Sequence, residues 1–427
     1  MNKQDIKKVI VAQKESHTNY RFVERDKHLT RIALSTDPFV KIFSGVRRCG
    51  KSTLMDHIRN NNPENNFSLN FDDNRLTGFS GGDFEKLYEA FYELYEPGKT
   101  WYLDEIQNIG GWELFIRRLH NEGHKVWITG SNANMLSREL GTHLTGRYLQ
   151  TAVFPFSFAE YCRFREITIE PNDLYSPAKT TILKKAFQDY FKNGGFPEFL
   201  QSANPDYLKI LFENILYRDV VVRHNIRNSR LFMEMTHFLI SNISKETSYN
   251  SLKKIFGLAN SITVKEYISY LEDCYLLFSI NKFDFSLKKQ LANPKKIYCV
   301  DTGMAGMVSF QFSENFGRQL ENLVFLHLKR AGAEVYYHRE NHECDFLEVS
   351  NKKVLRAIQV CQSVEQSSTR QREITGLHEA LKTHKLQTGW IITGDEEETI
   401  GHDDCTIQVV PAWKFLLTDH IASFHEK

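Results

Sequence analysis

Residues 39–58, FVKIFSGVRRCGKSTLMDHI, constrain the fold of this chain more than any other stretch. They predict a short apolar strand, a loop with the spacing G-x-x-x-x-G-K-S from Gly45 to Ser52, and then a helix. Two glycines at this spacing allow a tight backbone path that turns N–H groups toward phosphate oxygens. The following helix directs its positive amino end at the same phosphates. The pattern therefore predicts an α/β core that binds a nucleotide.

The side chains of this loop indicate ATP and Mg²⁺ as cofactors. Lys51 offers a point charge to the β and γ phosphates, and Ser52 offers a hydroxyl to Mg²⁺. The alternative is a glycine-rich turn that matches by chance, which the strand–loop–helix context disfavours. The predicted nucleotide-binding residues are Gly45, Val46, Arg47, Arg48, Cys49, Gly50, Lys51, Ser52 and Thr53, with Asp104 from a second segment.

The second segment, KTWYLDEIQNI, places two acids after a short apolar strand. An acid at the carboxyl end of a parallel strand lies beside the phosphate loop in this architecture. We predict that Asp104 holds Mg²⁺ together with Ser52, and that Glu105 orients and polarises the attacking water. The alternative is a pair of solvated acids at the start of the next helix.

A third segment, HKVWITGSNANML, is a predicted strand that ends in Ser131 and Asn132. Together the three segments resemble an AAA-type ATPase. That resemblance implies that Asn132, with Ser131 as second choice, contacts the γ-phosphate; Asn132 is equally suited to begin a helix. It also implies an arginine, often from a neighbouring subunit, that stabilises the transition state. Arg147 is favoured over Arg138 for this role, which allows an oligomer without requiring one; the alternative is that both are ordinary surface arginines. The predicted catalytic residues are Lys51, Glu105, Asn132 and Arg147.

Later landmarks narrow the resemblance. They are TGRY, PFSFAEY, GGFPEFL, YRDVVVRHNI and CVDTGMA, and with the earlier ones they cover most of the chain. The chain resembles bacterial and archaeal AAA-type ATPases of unassigned role that have a helical and winged-helix middle and a restriction-endonuclease-like carboxyl-terminal domain. The fold class implied is α/β with these three parts. The implied boundaries are an N-terminal helix in 1–24, the P-loop ATPase core in 25–160, a helical linker in 161–225, a winged-helix-like domain in 226–303 and a nuclease-like domain in 304–427.

The winged-helix-like region gives a divided signal on DNA. Its last helix, predicted at residues 263–275, has one lysine against three acids, which argues against base readout. The following loop, SLKKQLANPKK, contains four lysines that could meet the phosphates of duplex DNA. A solvated hairpin tip is an equally good interpretation. The lysines are Lys288, Lys289, Lys295 and Lys296.

The carboxyl-terminal region raises the question of a lost nuclease. The resemblance implies metal-binding acids at Glu321 and Asp345, followed by a Glu-x-Lys pair on the next strand. Here the pair reads Gln359 and Cys361, within AIQVCQS. Gln is a weaker ligand than Glu, and Cys361 supplies no cation, so we predict that nuclease activity is lost. Two cations on the following helix are candidate substitutes, Arg370 and Arg372.

Composition limits the remaining choices. Lys and Arg number 54 against 53 for Asp and Glu, so no global field draws the chain to nucleic acid. The absence of a long apolar run predicts no membrane association, and seven cysteines without a C-x-x-C pair favour the reducing cytoplasm. Two hypotheses remain for the biological role: a nucleotide-driven switch in DNA processing or defence, or a nucleotide-dependent protein-interaction module without nucleic acid.

Overall fold

A computed structural model describes residues 1–16, 22–26, 29, 37–132, 144, 146–309 and 316–417. The chain divides into two compact units. The first consists of Met1–Phe154 with Asp273–Tyr275, and the second of Pro155–Glu272 with Leu276–Lys427.

The first unit is built on a five-stranded parallel sheet with the order β2-β3-β4-β1-β5. The strands are β1 (Val40–Ser44), β2 (Asn66–Asn70), β3 (Thr100–Asp104), β4 (Lys125–Gly130) and β5 (Tyr148–Ala152). The helices of this unit are α1 (Lys3–Glu15), α2 (Lys51–Asn60), α3 (Phe84–Leu94) and α4 (Trp112–Asn121). Short 3-10 turns lie at Asn74–Leu76, Gly81–Asp83 and Ile106–Asn108.

Every residue of β1 and of β3 is buried, as expected for central strands of a parallel sheet covered on both faces. The core is rich in aromatic rings, and Phe67 and Phe91 both pack against Trp101 at centroid distances of 4.8 and 5.4 Å. Helix α1 contributes Ile6 and Ile10 to the same core. The α/β prediction for this part of the chain is confirmed.

The strand order decides where the polar loops meet. Strand β4 lies between β1 and β3, with Ser44 opposite Gly130 and Leu103 opposite Ile128. Because parallel strands end at the same edge of a sheet, the segments that follow β1, β3 and β4 come together there.

The second unit contains two sheets and most of the helices described. A three-stranded antiparallel sheet has the order β6-β8-β7, and a six-stranded mixed sheet has the order β13-β14-β12-β11-β10-β9. The strands are β6 (Glu246–Thr247), β7 (Leu277–Asn281), β8 (Lys295–Cys299), β9 (Glu334–Arg339), β10 (Glu343–Ser350), β11 (Lys353–Val360), β12 (Thr388–Thr393), β13 (Glu398–His402) and β14 (Cys405–Pro411).

The helices of the second unit connect and cover these sheets. They are α5 (Phe158–Phe164), α6 (Pro177–Asn193), α7 (Pro197–Ser202), α8 (Tyr207–Asn214), α9 (Ser229–Ser241), α10 (Tyr249–Ile255), α11 (Ser261–Asp273), α12 (Leu287–Ala292), α13 (Thr302–Val308), α14 (Phe316–Arg330), α15 (Ser367–His384) and α16 (Ala412–Phe415). A π-helical segment, Ile215–Val222, continues α8. Within the described ranges, no helix is both long and apolar enough to cross a membrane.

Two of the lysines predicted to meet DNA do not face solvent. The segment read as one loop forms helix α12 and then strand β8, whose residues are all buried. Lys295 is 9% exposed and Lys296 is 1% exposed, because β8 is the central strand of its sheet. The prediction that these two lysines contact a phosphate backbone is wrong. Lys288 and Lys289 on α12 are exposed.

Candidate nucleotide-binding site

The phosphate loop closes against the start of its own helix. A side chain at Gly45 would place a Cβ 2.1 Å from the carbonyl oxygen of Val153, so only glycine fits there. Gly50 has a φ of 99°, a conformation that favours glycine, and it precedes α2 without any side-chain cap. The N–H groups at the amino end of α2 are therefore open to an anion.

The remaining loop residues hold the loop in place. The Sγ of Cys49 donates to the carbonyl of Val153 at 3.1 Å. Arg25, which the sequence did not single out, donates to the carbonyls of Cys49 at 3.1 Å and Phe154 at 2.6 Å. Of the other predicted loop residues, Val46 is buried, Arg47 lies 3.6 Å from Asp72, Arg48 is exposed and Thr53 is half-buried on α2.

Lys51 presents a buried ammonium at this loop. Its Nζ donates to the carbonyls of Gly45 and Val46, each at 3.1 Å, and lies 3.8 Å from Oε1 of Glu105. Neutral carbonyls are weaker partners for an ammonium than charged oxygens are. A phosphate at the mouth of the loop is therefore a better acceptor for Lys51 than the carbonyls of Gly45 and Val46.

Asp104 is buried at the end of β3 and is held by two hydroxyls. Ser52 donates to its Oδ1 at 3.1 Å, and Thr129 donates to the same oxygen. Burial and the neighbouring charge of Glu105 raise the pKa of Asp104 to about 6. A divalent cation would offset both effects, and carboxylate and hydroxyl oxygens are ligands that Mg²⁺ prefers. The residues present therefore fit Mg²⁺.

Glu105 adopts a backbone conformation that is unusual for its type. Its φ is 51°, in the left-handed region, and such residues are concentrated at functional sites. Its N–H donates to Thr129 at 3.1 Å, and the amide of Gln107 donates to its Oε2 at 2.5 Å. These contacts fix the turn and the carboxylate beside Lys51.

Sequence reasoning missed Thr129, which contacts both Asp104 and Glu105. One weak signal existed: a polar residue in an otherwise apolar strand, two positions before Ser131.

Ser131 and Asn132 follow β4 at the same edge and are both buried. Within the part of the chain that the structure describes, the Oγ of Ser131 has no hydrogen-bond partner. A buried hydroxyl of this kind points to a ligand that completes its hydrogen bonding. The alternative role of Asn132, as the first residue of a helix, depends on residues 133–143, which lie outside the described ranges.

Arg147 lies at the end of the sheet opposite to the phosphate loop. Its carbonyl accepts from the N–H of Val40 at 3.0 Å, at the start of β1, whereas the phosphate loop follows the end of β1. A five-residue strand separates these ends by about 15 Å. Its guanidinium is exposed and donates to Asn121 at 3.0 Å. Arg147 therefore does not reach the phosphate loop of its own chain, and Arg138 lies outside the described residues.

The residues implied by the nuclease resemblance lie in the second unit. Asp345 on β10 and Gln359 on β11 are neighbours, with the N–H of Asp345 donating to Oε1 of Gln359 at 3.1 Å. Burial, followed by the charge of Glu373, raises the pKa of Cys361 to about 12, so its thiol stays neutral. The substitute cations pair elsewhere: Arg370 with Glu398 at 2.5 and 2.9 Å, and Arg372 with Glu373 at 2.5 and 3.0 Å.

This fold and loop geometry define a P-loop protein of the AAA class, and a family model described as "AAA domain" matches residues 37–162. The chain belongs to one family with the uncharacterized protein MJ1544 of Methanocaldococcus jannaschii. The two are 35% identical over 402 residues, which cover 89% of this chain and 88% of the relative. An uncharacterized protein of Haemophilus influenzae is 27% identical over 342 residues, 76% of this chain and 83% of that protein.

A domain of unknown function (DUF8612) matches residues 184–315. The AMPPCP-bound DnaA of Aquifex aeolicus is 13% identical with a TM-score of 0.25, over 58% of this chain and 85% of that one. The Thermotoga maritima RuvB Holliday junction branch migration motor is 15% identical with a TM-score of 0.26, over 59% and 87%. Scores this low add no argument to the assignment.

Proposed function

We propose that this chain is a Mg²⁺-dependent ATPase that acts as a nucleotide-driven switch. The observation that carries the proposal is the convergence, at one edge of a parallel sheet, of a glycine-formed loop, a buried ammonium, two adjacent carboxylates and a buried hydroxyl that has no partner in the described chain. The buried charges of Lys51 and Asp104 are costly without a ligand of opposite charge, and the Ser131 hydroxyl is incompletely bonded; a nucleotide with its cation supplies partners for all three.

The proposed reaction is hydrolysis of the β–γ phosphoanhydride of ATP. The amino end of α2 and Lys51 bind the phosphates, while Ser52 and Asp104 hold Mg²⁺, which neutralises charge on the phosphates when bound. Glu105 orients the attacking water and accepts its proton. Ser131 or Asn132 donates to the γ-phosphate from the end of β4.

The direct test is release of inorganic phosphate from ATP by the purified protein, with Mg²⁺ present and with Mg²⁺ removed by EDTA. We expect steady release that stops with EDTA and returns when Mg²⁺ is restored in excess. ATP binding without turnover under all conditions would retain the switch but refute the proposed hydrolysis.

Arg147 is proposed to act on the site of a neighbouring subunit, because it lies far from its own. If so, the ATPase rate per chain rises with protein concentration. Mixing Arg147→Ala with Glu105→Gln, each inactive by itself, should restore activity, since one mixed interface then has both intact groups. Arg117→Ala, an exposed arginine on α4, serves as the control. A rate per chain that is constant across concentrations, in a monomer by light scattering, would exclude this role.

For the biological role, the tip of the three-stranded sheet favours a protein partner over DNA. Large apolar side chains at and beside α12 are exposed: Phe285 by 87%, Leu287 by 66% and Leu291 by 58%. The burial of Lys295 and Lys296 removes half of the basic set that suggested DNA. We therefore favour a nucleotide-dependent protein-interaction module, and keep the DNA-processing switch as the competing candidate.

Retention on duplex DNA separates the two candidates. We expect the double variant Lys288→Glu/Lys289→Glu to elute at the same salt as the unaltered protein, with and without ATP, because these lysines do not form a phosphate-binding surface. The double variant Lys184→Glu/Lys185→Glu on α6 causes the same change in net charge and serves as the control. The slope of the logarithm of the DNA-binding constant against the logarithm of salt concentration reports the number of phosphate contacts. A decrease of about two in its magnitude, one for each lysine lost, would instead establish phosphate contacts at α12.

A further inference from the structure

Lys296 of β8 places its ammonium at the centre of an acidic cluster in the second unit. Its Nζ lies 2.9 Å from Oε1 of Glu321 on α14. It lies 2.8 Å from Oδ1 of Asp345 and 2.6 Å from Oε1 of Glu343, both on β10. The lysine therefore comes from a sheet distinct from the one that contains Asp345.

The acids around Lys296 are also positioned by other groups. Tyr298, two residues further along β8, donates to Oε1 of Glu321 at 2.8 Å. The N–H of Val360 donates to Oδ2 of Asp345 at 2.9 Å. One oxygen of Glu321 and one of Asp345 thus point at a common centre, and the ammonium occupies that centre.

The charges of the cluster keep Lys296 protonated. Burial alone lowers the pKa of Lys296, but the carboxylates of Asp345, Glu321 and Glu343 more than reverse this, so the pKa is raised. Burial and the charge of Asp345 raise the pKa of Glu321, and the ammonium of Lys296 opposes that shift. The ammonium donates to Glu321 and Asp345, and the carboxyl group of Glu343 lies 2.6 Å away as a third ion-pair partner.

We propose that the Lys296 ammonium is a built-in substitute for a divalent cation, and that it excludes metal from this cluster while β8 is in place. The acids at which the nuclease resemblance implies a metal, Glu321 and Asp345, are the same acids that bind Lys296. An ammonium has no vacant coordination position, so it does not lower the pKa of a bound water as a metal does. The cluster then has a structural role: it joins the three-stranded sheet to β10 and α14. It does not cleave phosphodiesters.

The competing hypothesis is that the protein is an active nuclease in which Lys296 replaces the lysine of the Glu-x-Lys pair, absent at Cys361. Burial opposes it, because Lys296 is 1% exposed and its ammonium is already surrounded by three carboxyl groups. A phosphodiester of a nucleic acid has no access to such a group. Metal-dependent cleavage of a nucleic acid by the unaltered protein would distinguish an active nuclease from the proposed cluster.

Metal binding by the full chain tests the proposal. All variants are made with Asp104→Asn, so that the nucleotide site contributes no metal. Binding of Mn²⁺ is followed by electron paramagnetic resonance without nucleotide. We expect no binding when Lys296 is intact, one Mn²⁺ per chain at least tenfold tighter in Lys296→Met, and loss of that binding in Lys296→Met/Asp345→Asn. Lys295→Met, on the same strand but paired with Asn281, should behave like the parent.

Two results would overturn the proposal. One is Mn²⁺ binding with Lys296 intact that disappears in Asp345→Asn. The other is a folded Lys296→Met protein that binds no Mn²⁺. Should Lys296→Met fail to fold, cleavage of labelled single- and double-stranded DNA and RNA by the unaltered protein with Mn²⁺ decides the matter. We expect no cleavage, and cleavage abolished by Asp345→Asn would show an active nuclease. This test is independent of the ATPase, because it requires neither ATP nor Asp104.

Discussion

Lys51→Ala is expected to remove measurable ATP binding. The substitution deletes the buried ammonium that lies between the loop carbonyls and Glu105, and that faces the predicted phosphates. Removing one partner of a buried, hydrogen-bonded charge pair costs about 2–5 kcal/mol, or roughly 30-fold to several thousand-fold in affinity. If the parent binds ATP with a micromolar dissociation constant, that of the variant would be too large to measure by titration.

The measurement is a fluorescence titration with a labelled ATP analogue, accompanied by thermal unfolding to establish that the variant is folded. Lys125→Ala is the matched control, because Lys125 belongs to the same sheet but pairs with Glu64 at its surface. Near-normal affinity in folded Lys51→Ala would refute the assignment of the phosphate loop.

Glu105→Gln is expected to bind ATP and to hydrolyse it at a rate lower by a factor of about 10²–10⁴, the usual contribution of a general base. The change preserves the size of the side chain and removes its charge. The amide can still accept a hydrogen bond from Gln107, so the local geometry should persist. The loss should therefore fall on turnover and leave nucleotide affinity close to that of the parent.

Phosphate release in the steady state, with ATP retention measured in parallel, distinguishes these two effects. Glu122→Gln, an exposed acid after α4, is the control for a change of charge on the same unit. Turnover within a few-fold of the parent would assign the activation of water to another residue.

The sequence was most informative where function depends on short segments. The loop from Gly45 to Ser52 and the acids after β3 were predictable because each lies within about ten residues of its strand. Only the order of the strands, with β4 between β1 and β3, shows how these segments meet, and Thr129 becomes visible only with it. Strand pairing is a long-range property that no local pattern encodes.

The lysines of the second unit show where sequence reasoning fails. Lys295 and Lys296 follow a proline after other lysines, which is typical of a solvated turn. Lys296 is buried because Glu321 and Asp345, 25 and 49 residues later, surround it. Position 361 is a cysteine, and the cation that Glu321 and Asp345 do contact, Lys296, precedes both acids in the chain, where no spacing rule of the nuclease pattern applies. The winged-helix and nuclease-like interpretations stay predictions.

The left-handed backbone of Glu105 has an evolutionary consequence. A side chain with a Cβ costs about 1–2 kcal/mol in this conformation, whereas glycine is relieved of that penalty and asparagine tolerates it better. Selection for thermal robustness alone would therefore replace Glu105 with glycine or asparagine. In a lineage that has abandoned turnover, position 105 should drift toward these residues early, so the residue at this position becomes a marker that separates working descendants from inactive ones.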